Sequence, residues 1–118
     1  MKIKIFDAEL KVMEVLWNKG DLTAGEIVKI LKEQVGWNKN TTYTVIKKLI
    51  EKKAVERFEP GFICKALITK NEVRKYEAEE LIGKLFEGSA EVFLSAFLSG
   101  KELSDKEIAR LKQFIDKI

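Results

Sequence analysis

The stretch WNKNTTYTVIKKLIEKKAVERF, residues 37–58, carries six cations against two carboxylates and also contains a regular apolar pattern. Its inward-facing side chains recur every three to four residues, which is the spacing of one face of a helix. They are Thr42, Val45, Ile46, Leu49 and Ile50. With Asn38 available as the N-cap, the pattern predicts a helix over about residues 39–53, followed by a strand.

The opposite face of this helix carries hydrogen-bonding groups. A turn of about 100° per residue places Asn40, Tyr43, Thr44, Lys47, Lys48 and Glu51 there. Amides, hydroxyls and ammonium groups are the donors and acceptors that base edges and phosphates require. Lysines on an exposed helix face are commonly only solvated, so the neighbouring elements must decide between the two interpretations.

Two further helices precede this stretch. The first, with Asp7 as its N-cap and Gly20 at its end, has a stripe made of Phe6, Leu10, Met13 and Trp17. The second covers about residues 24–34 and begins with a capping box from Thr23 to Glu26. Its stripe is made of Ile27, Val28, Ile30 and Leu31. Three short helices joined by tight turns are therefore predicted.

Two strand-like runs, AVERF (54–58) and FICKALI (62–68), follow the third helix. Glu59-Pro60-Gly61 separates them and predicts a hairpin with a type II-like turn. Three helices followed by a hairpin is the element order of a winged helix-turn-helix domain, here over residues 1–70. The third helix would then contact nucleic acid, and Arg57 and Lys65 would act from the hairpin, or wing.

Residues 71–118 return to helical patterns, with capping signals at Ser89 and Ser104. This C-terminal region is too short to bury its large apolar side chains by itself, so we expect it to form a homodimer. The candidate dimerisation residues are Tyr76, Leu81, Leu85, Phe86, Phe93, Phe97, Leu111, Phe114 and Ile115. The expected fold is mainly α with a small β-hairpin: a winged helix-turn-helix DNA-binding domain plus a helical dimerisation region.

Composition limits the classes of function. Residues 1–70 hold fourteen Lys and Arg against nine Asp and Glu, and residues 71–118 hold eight against ten, which sums to the net charge of +3. The chain has no histidine and a single cysteine, Cys64, so we expect no metal site, no cofactor and no enzymatic activity. Neither a membrane span nor a signal peptide is evident, and we expect a cytoplasmic protein.

Four segments carry a resemblance to a known family. FDAELKVMEVLW, EIVKIL, WNKNTTYTVIKKLIEKKAV and FLSAFLSGKELSDKEIARLKQFI resemble the penicillinase repressors of the BlaI/MecI type, and the resemblance runs from about Phe6 to Ile115. It implies a homodimeric transcriptional repressor that binds a pseudo-palindromic double-stranded operator. By that resemblance the recognition helix carries the contact residues and Trp37 and Asn38 form its approach.

The full set of candidate DNA-binding residues combines this helix with the wing. It consists of Trp37, Asn38, Lys39, Asn40, Thr41, Thr42, Tyr43, Thr44, Lys47, Lys48, Arg57 and Lys65. Some roles stay open: Thr42 faces inward, where a structural role is at least as good an interpretation. Trp37 either packs under the helix or lies against a sugar-phosphate strand, and Tyr43 has the same two options.

The resemblance also implies a route of release and shows departures from the family pattern. Members that answer β-lactams are cleaved before a phenylalanine by a sensor-linked protease, and the matching pair here is Ala96-Phe97. The phenylalanine is kept and the preceding asparagine is not, so cleavage stays an open hypothesis. In the wing, Phe62 follows Gly61 where many members carry arginine. The alternative functions are a winged-helix protein-interaction module and a regulator with a different inducing signal.

Overall fold

The computed structural model describes residues 3–99 and 104–116, and within 111–116 it describes only the side chain of Gln113. The elements in chain order are α1 (Asp7–Lys19), β1 (Leu22–Thr23), α2 (Ala24–Val35), α3 (Lys39–Glu51), β2 (Val55–Phe58), β3 (Ile63–Ala66), α4 (Lys70–Leu85), α5 (Ala90–Ser99) and α6 (Asp105–Asp116). The chain divides into two compact units, one ending at Glu79 and the other beginning at Glu80. The mainly helical fold with a small antiparallel sheet is the one predicted.

The start of α1 differs from the prediction. Asp7 is the first helical residue, and Phe6 holds the N-cap position. The Phe6 N–H donates to Glu9 Oε1 at 2.9 Å, so the capping carboxylate is that of Glu9. The prediction of Asp7 as the N-cap was therefore wrong. An acidic residue suits the first turn as well as the N-cap, because it interacts favourably with the helix dipole in either position. The end at Gly20 is confirmed, with φ of 83° and its N–H donating to the Leu16 carbonyl.

The capping box of α2 is confirmed. The Glu26 N–H donates to Thr23 Oγ1 at 3.1 Å, and the Thr23 N–H donates to Glu26 Oε1 at 3.0 Å. The hydrogen bonds from the Thr23 backbone and side chain lower the pKa of the Glu26 carboxyl. Gly36, in the left-handed region at φ 72°, ends the helix. Both ends of α2 are thus fixed by local chemistry, which sets the turn before α3.

One core joins α1, α2 and α3. Its largest fully buried side chains include Met13, Ile27, Leu31, Ile46 and Leu49. Each comes from a predicted apolar stripe, and for α2 and α3 the sequence periodicity identifies the inward face. In α1 only Met13 of the predicted stripe is fully buried: Phe6 is 57% exposed, and the inner face of α1 is completed by Val12, Val15 and Leu16. Burial of five such side chains stabilises the unit by roughly 1.5–3 kcal/mol each. The orientation of α3 is held by this core.

The sheet has three strands in the order β1-β3-β2, all antiparallel. β1 was not predicted, because two residues are too few to produce an alternating pattern. It exists through its pairing of Leu22 with Cys64 and of Thr23 with Ile63. By pairing with β3, β1 anchors the wing to the turn that precedes α2.

The wing turn also differs from the prediction. Phe58 pairs with Ile63, which leaves a four-residue loop, and the Glu59–Pro60 peptide bond is cis. Gly61 has the expected positive φ, at 91°. The Phe62 N–H donates to the Glu59 side chain at 3.1 Å, so a carboxylate closes the loop where a type II turn would use a backbone carbonyl.

The second unit leaves much apolar surface exposed. Ser89 and Ser104 cap α5 and α6 as predicted, with Ser89 Oγ accepting from Val92 at 3.1 Å and Ser104 Oγ accepting from Glu107 at 3.2 Å. Phe93 packs edge-on against Phe86, with ring centroids 5.2 Å apart. No residue of α5 is buried, and three large side chains are half or more exposed: Leu85 (66%), Val92 (53%) and Phe97 (50%).

Candidate nucleic-acid interface

The outer face of α3 is exposed as the helical periodicity predicts. Asn40, Thr44, Lys47 and Lys48 are exposed, and Tyr43 is partly buried at the edge. Thr41 lies exposed on the flank. The lysines at 47 and 48 form no ion pair with any other residue of the described parts of the chain. We call the set of Asn40, Tyr43, Thr44, Lys47 and Lys48 the α3 outer face.

The residues before α3 fix its start. Asn38 Oδ1 accepts the Thr41 N–H at 2.8 Å, as expected of an N-cap. Trp37 is partly buried against the core, and its N–H points to the Leu31 carbonyl at 3.4 Å. The packing role foreseen for Trp37 is therefore the one that the structure displays. Both residues position α3, and their contact with DNA stays a prediction.

The end of α3 comes two residues earlier than predicted. Lys53 has φ of 64°, and its N–H donates to the Ile50 carbonyl. The Ala54 N–H donates to the Leu49 carbonyl at 2.9 Å. These two bonds form a Schellman motif, usually built on glycine, with lysine in the left-handed position. A lysine there gives no sequence signal for a helix end, which explains the longer prediction.

Lys52 has a structural role that its position in a basic segment did not suggest. Its Nζ lies 2.6 Å from Oε1 of the buried Glu9, 2.9 Å from the Lys4 carbonyl and 4.5 Å from the centre of the Phe6 ring. It therefore ties the C-terminal end of α3 to the start of α1. One of the six cations in residues 37–58 thus forms an ion pair with a buried carboxylate of the fold.

Thr42 is fully buried, and its Oγ1 has no hydrogen-bond partner among the described residues. It lies on the inner face beside Val45 and Ile46. The structural interpretation of Thr42 is the one that its burial supports. Thr44 is different: it is exposed, and its hydroxyl donates to the Asn40 carbonyl at 2.8 Å, which leaves the hydroxyl oxygen available as an acceptor.

Tyr43 connects α3 to the wing. The Tyr43 ring packs edge-on against the Phe62 ring, with 5.7 Å between their centroids. Lys39, also on α3, places its Nζ 5.8 Å from the centre of the Tyr43 ring. Such aromatic pairs contribute about 0.5–1.5 kcal/mol beyond the area they bury. Through this contact Phe62 holds the wing loop against the α3 outer face.

The wing cations are balanced by carboxylates. Arg57 Nε donates to Glu59 Oε1 at 2.7 Å, and its guanidinium lies 3.7 Å from the centre of the Phe62 ring. The Phe62 N–H and then Arg57 hold the pKa of the Glu59 carboxyl below its usual value. Lys65 is exposed and stands opposite Glu56 across the strand pair. Two cations and two carboxylates leave residues 55–66 with no net charge.

The lone cysteine belongs to the core of the first unit. Cys64 is fully buried in β3, and burial raises the pKa of its thiol to about 11, although Arg57 nearby acts in the opposite direction. A buried thiol with a raised pKa is a poor nucleophile at neutral pH. Within residues 3–99 and 104–116, no group of three metal-binding side chains was found.

The candidate dimerisation residues fall into three groups. Leu81, Leu85 and Phe97 are exposed, whereas Tyr76, Phe86 and Phe93 are partly buried. Leu111, Phe114 and Ile115 lie outside the described side chains.

Ala96 and Phe97 are both exposed on α5, within regular helix. In the part of the chain that the structure describes, no helix is long and apolar enough to cross a membrane.

A search of family models matches residues 5–117 to the penicillinase repressor family. The chain belongs to the penicillinase repressor family. Similar curated proteins are a penicillinase repressor of Bacillus licheniformis, 27% identical over 96% of this chain and 90% of that protein, and a MecI methicillin resistance regulatory protein of Staphylococcus aureus strain N315, 25% identical over 97% of this chain and 94% of that protein.

Solved structures extend the similarity to the fold of the first unit. The solution structure of the DNA-binding domain of the repressor BlaI superposes with a TM-score of 0.56 at 30% identity, covering 61% of this chain and 90% of that one. The Bacillus licheniformis BlaI monomer in complex with the blaP half-operator gives 0.55 at the same identity and coverage. The winged helix-turn-helix architecture predicted from the element order is confirmed.

Proposed function

We propose that this protein is a transcriptional repressor that binds double-stranded operator DNA by inserting α3 into the major groove. The observation that carries the proposal is the α3 outer face, where amide, hydroxyl and ammonium groups are exposed on a helix that the core holds in place. The similarity to a BlaI structure containing a half-operator supports it. RNA polymerase would be excluded from a promoter that the protein occupies.

Individual residues have different roles in this proposal. Asn40 has the amide geometry for a bidentate contact with adenine, and Lys47 and Lys48 suit guanine or phosphate. Thr41 and Thr44, together with Lys39 on the first turn, suit phosphate oxygens. Glu51 is exposed at the end of α3, so its charge would keep the contact centred on the first three turns. Arg57 and Lys65 would contribute less, since carboxylates stand beside or opposite both.

The C-terminal region would hold two copies together. We assign DNA binding to residues 1–70 and dimerisation to residues 71–118. The support is the exposed apolar surface of α4 and α5, which a monomer leaves in water and a second copy would cover. Two copies of α3 about 34 Å apart would then meet successive major grooves on one side of a pseudo-palindrome.

Release would follow loss of the dimer. Losing one half-site removes the effective concentration that makes paired binding tight, commonly a factor of about 10²–10⁴. Cleavage at Ala96-Phe97 by a sensor-linked protease is one candidate route, and it requires local opening, because both residues lie within α5. Another inducing signal that weakens the dimer would have the same physical effect.

Fluorescence anisotropy tests the proposal. A pseudo-palindromic duplex from upstream of the protein's own gene is titrated beside a scrambled duplex of equal length and composition. Tighter binding to the first, with two protein chains per duplex, is the expected result. Equal and weak binding to every upstream fragment and to the scrambled duplex would favour an interaction with an acidic protein instead.

A further inference from the structure

The wing loop contains a charged pair, Arg57 and Glu59, to which the DNA-binding proposal gives only a minor part. Arg57 and Glu59 are two residues apart at the end of β2, and both side chains are about half exposed. The Glu59 carboxylate accepts hydrogen bonds from Arg57 through Oε1 and from the Phe62 N–H through Oε2. Because the same carboxylate also closes the loop, its position is fixed by the backbone as well as by Arg57.

The guanidinium is held from a second side. It lies 3.7 Å from the centre of the Phe62 ring, the distance of a close cation–π contact. The same ring packs against Tyr43, which belongs to the α3 outer face. Only the Phe62 ring therefore stands between Arg57 and that face. In the proposed complex, Arg57 would lie beside the surface that contacts DNA, where phosphates are the partners expected for a guanidinium.

We propose that Glu59 competes with DNA phosphate for Arg57 and so limits the contribution of the wing to DNA affinity. The inference rests on the proposed function and assigns Glu59 as a residue that sets binding strength. A guanidinium bonded to a carboxylate neutralises no phosphate and releases no counterion. The wing then anchors α3 through Tyr43 and Phe62 and adds little charge-dependent affinity of its own.

The pairing is held firmly enough that DNA phosphate would displace Glu59 only in part. Exposed ion pairs are weak by themselves, but here a backbone hydrogen bond and an aromatic contact orient both partners before DNA arrives. Glu59 would also repel a nearby phosphate directly. Release of Arg57 and loss of this repulsion are separate effects, and a double-mutant cycle distinguishes them.

The test uses the full chain and four proteins: wild type, Glu59→Gln, Arg57→Gln and the double variant. Glutamine keeps an oxygen that can accept the Phe62 N–H, so the loop should still close, and circular dichroism checks the fold. The probe is a labelled mixed-sequence duplex of about 30 base pairs, long enough for two half-sites. Phosphate contacts are measured on any sequence, so no operator is needed.

We expect Glu59→Gln to bind about threefold more tightly per protein chain, with a salt slope steeper by about 0.9 per chain. Most of the gain should disappear in the Arg57→Gln background, where only the loss of direct repulsion remains, and Arg57→Gln alone should weaken binding by less than Glu59→Gln strengthens it. Glu56→Gln, the matched loss of one exposed carboxylate in β2, measures the general benefit of removing a negative charge and should give a smaller gain.

Three results would overturn the inference. The first is a Glu59→Gln protein whose affinity and slope equal those of wild type, and the second is a gain that persists in full without Arg57. The third is a loss of affinity and slope in Arg57→Gln alone that equals or exceeds the gain of Glu59→Gln, which would mean that Arg57 already contacts phosphate. Neither the first two outcomes nor the third touches the proposed function, which the comparison of the upstream duplex with the scrambled duplex tests; a wild type that binds neither the mixed-sequence duplex nor the upstream duplex refutes both.

Discussion

The α3 outer face and the wing hold similar residue types, yet their charges are disposed differently. On α3, Lys47 and Lys48 are exposed and form no ion pair within the described residues. On the wing, Arg57 is bonded to Glu59 and Lys65 stands opposite Glu56. A count of cations along the sequence treats the two regions alike. The charge available to a phosphate depends instead on which carboxylates the fold places nearby.

Dissociation of the dimer is expected to have the largest effect on operator affinity. A monomer would place one α3 and one wing on one half-site, so the two regions could be compared within a single chain. Phe97→Asp places a charge on the exposed apolar surface of α5, and we expect a monomer in analytical ultracentrifugation. Operator affinity should fall by about 10²–10⁴ and the salt slope by about half.

The dimer prediction has a second variant and a control. Leu85→Asp, at the more exposed position of α4, should behave like Phe97→Asp if both helices carry the interface. Ser95→Asp adds the same charge to the opposite side of α5 and should remain dimeric. A Phe97→Asp protein that folds and still sediments as a dimer would place the interface elsewhere.

A change at Asn40 tests whether the α3 outer face reads sequence or only charge. Asn40→Ala should lower the preference for the operator over the scrambled duplex by about 1–3 kcal/mol, because a bidentate amide contact with adenine is lost. The salt slope should not change, since no cation is removed. Equal discrimination in the variant and wild type would remove Asn40 from the set of base contacts.

Lys52 tests whether a lysine of the basic segment can serve stability and not DNA binding, because it lies in that segment but pairs with Glu9 inside the fold. Lys52→Met leaves the buried Glu9 carboxylate without its cation, and we expect a loss of about 1–3 kcal/mol in urea unfolding. Lys53→Met, an exposed lysine next to it, removes the same charge and should cost less. Adding Glu9→Gln to Lys52→Met should recover part of the loss; no recovery would contradict the pairing.

The smallest effect is expected at Thr42. Thr42→Val removes a buried hydroxyl that has no partner among the described residues and keeps the side-chain shape. Stability should rise by about 1 kcal/mol, because the desolvated hydroxyl is lost. Operator affinity should remain that of wild type. A weaker operator complex with unchanged stability would return Thr42 to the DNA-contacting residues.

The sequence predicts those parts of the fold that depend on local pattern. The stripes of α2 and α3, the caps at Thr23, Asn38, Ser89 and Ser104, and the stop at Gly20 are confirmed, because periodicity and capping act within a few residues. The stripe of α1 was fully buried only at Met13, because Val12 and Leu16 are buried where Phe6 was expected. The α4 cap was missed although Thr69 and Glu72 form a capping box, with the Glu72 N–H donating to Thr69 Oγ1 at 3.1 Å.

Other features depend on contacts between distant segments. β1 exists only through its pairing with β3, and the bond between Lys52 and Glu9 joins residues 43 positions apart. The exposure of the α3 outer face followed from the helical wheel. The sequence gives a weak indication of the Arg57–Glu59 pair, because two opposite charges stand two residues apart at the end of a strand. It gives no indication of the loop geometry that brings the two side chains together.

The most direct test of the central claim is a salt titration that compares Lys47→Ala with Lys65→Ala on the same operator duplex. Both variants lose one exposed lysine, one from the α3 outer face and one from the wing. The account predicts that Lys47→Ala weakens binding and lowers the salt slope by about 0.9 per chain, while Lys65→Ala changes the slope much less. An unchanged slope in Lys47→Ala, or an equal loss in both, would contradict it.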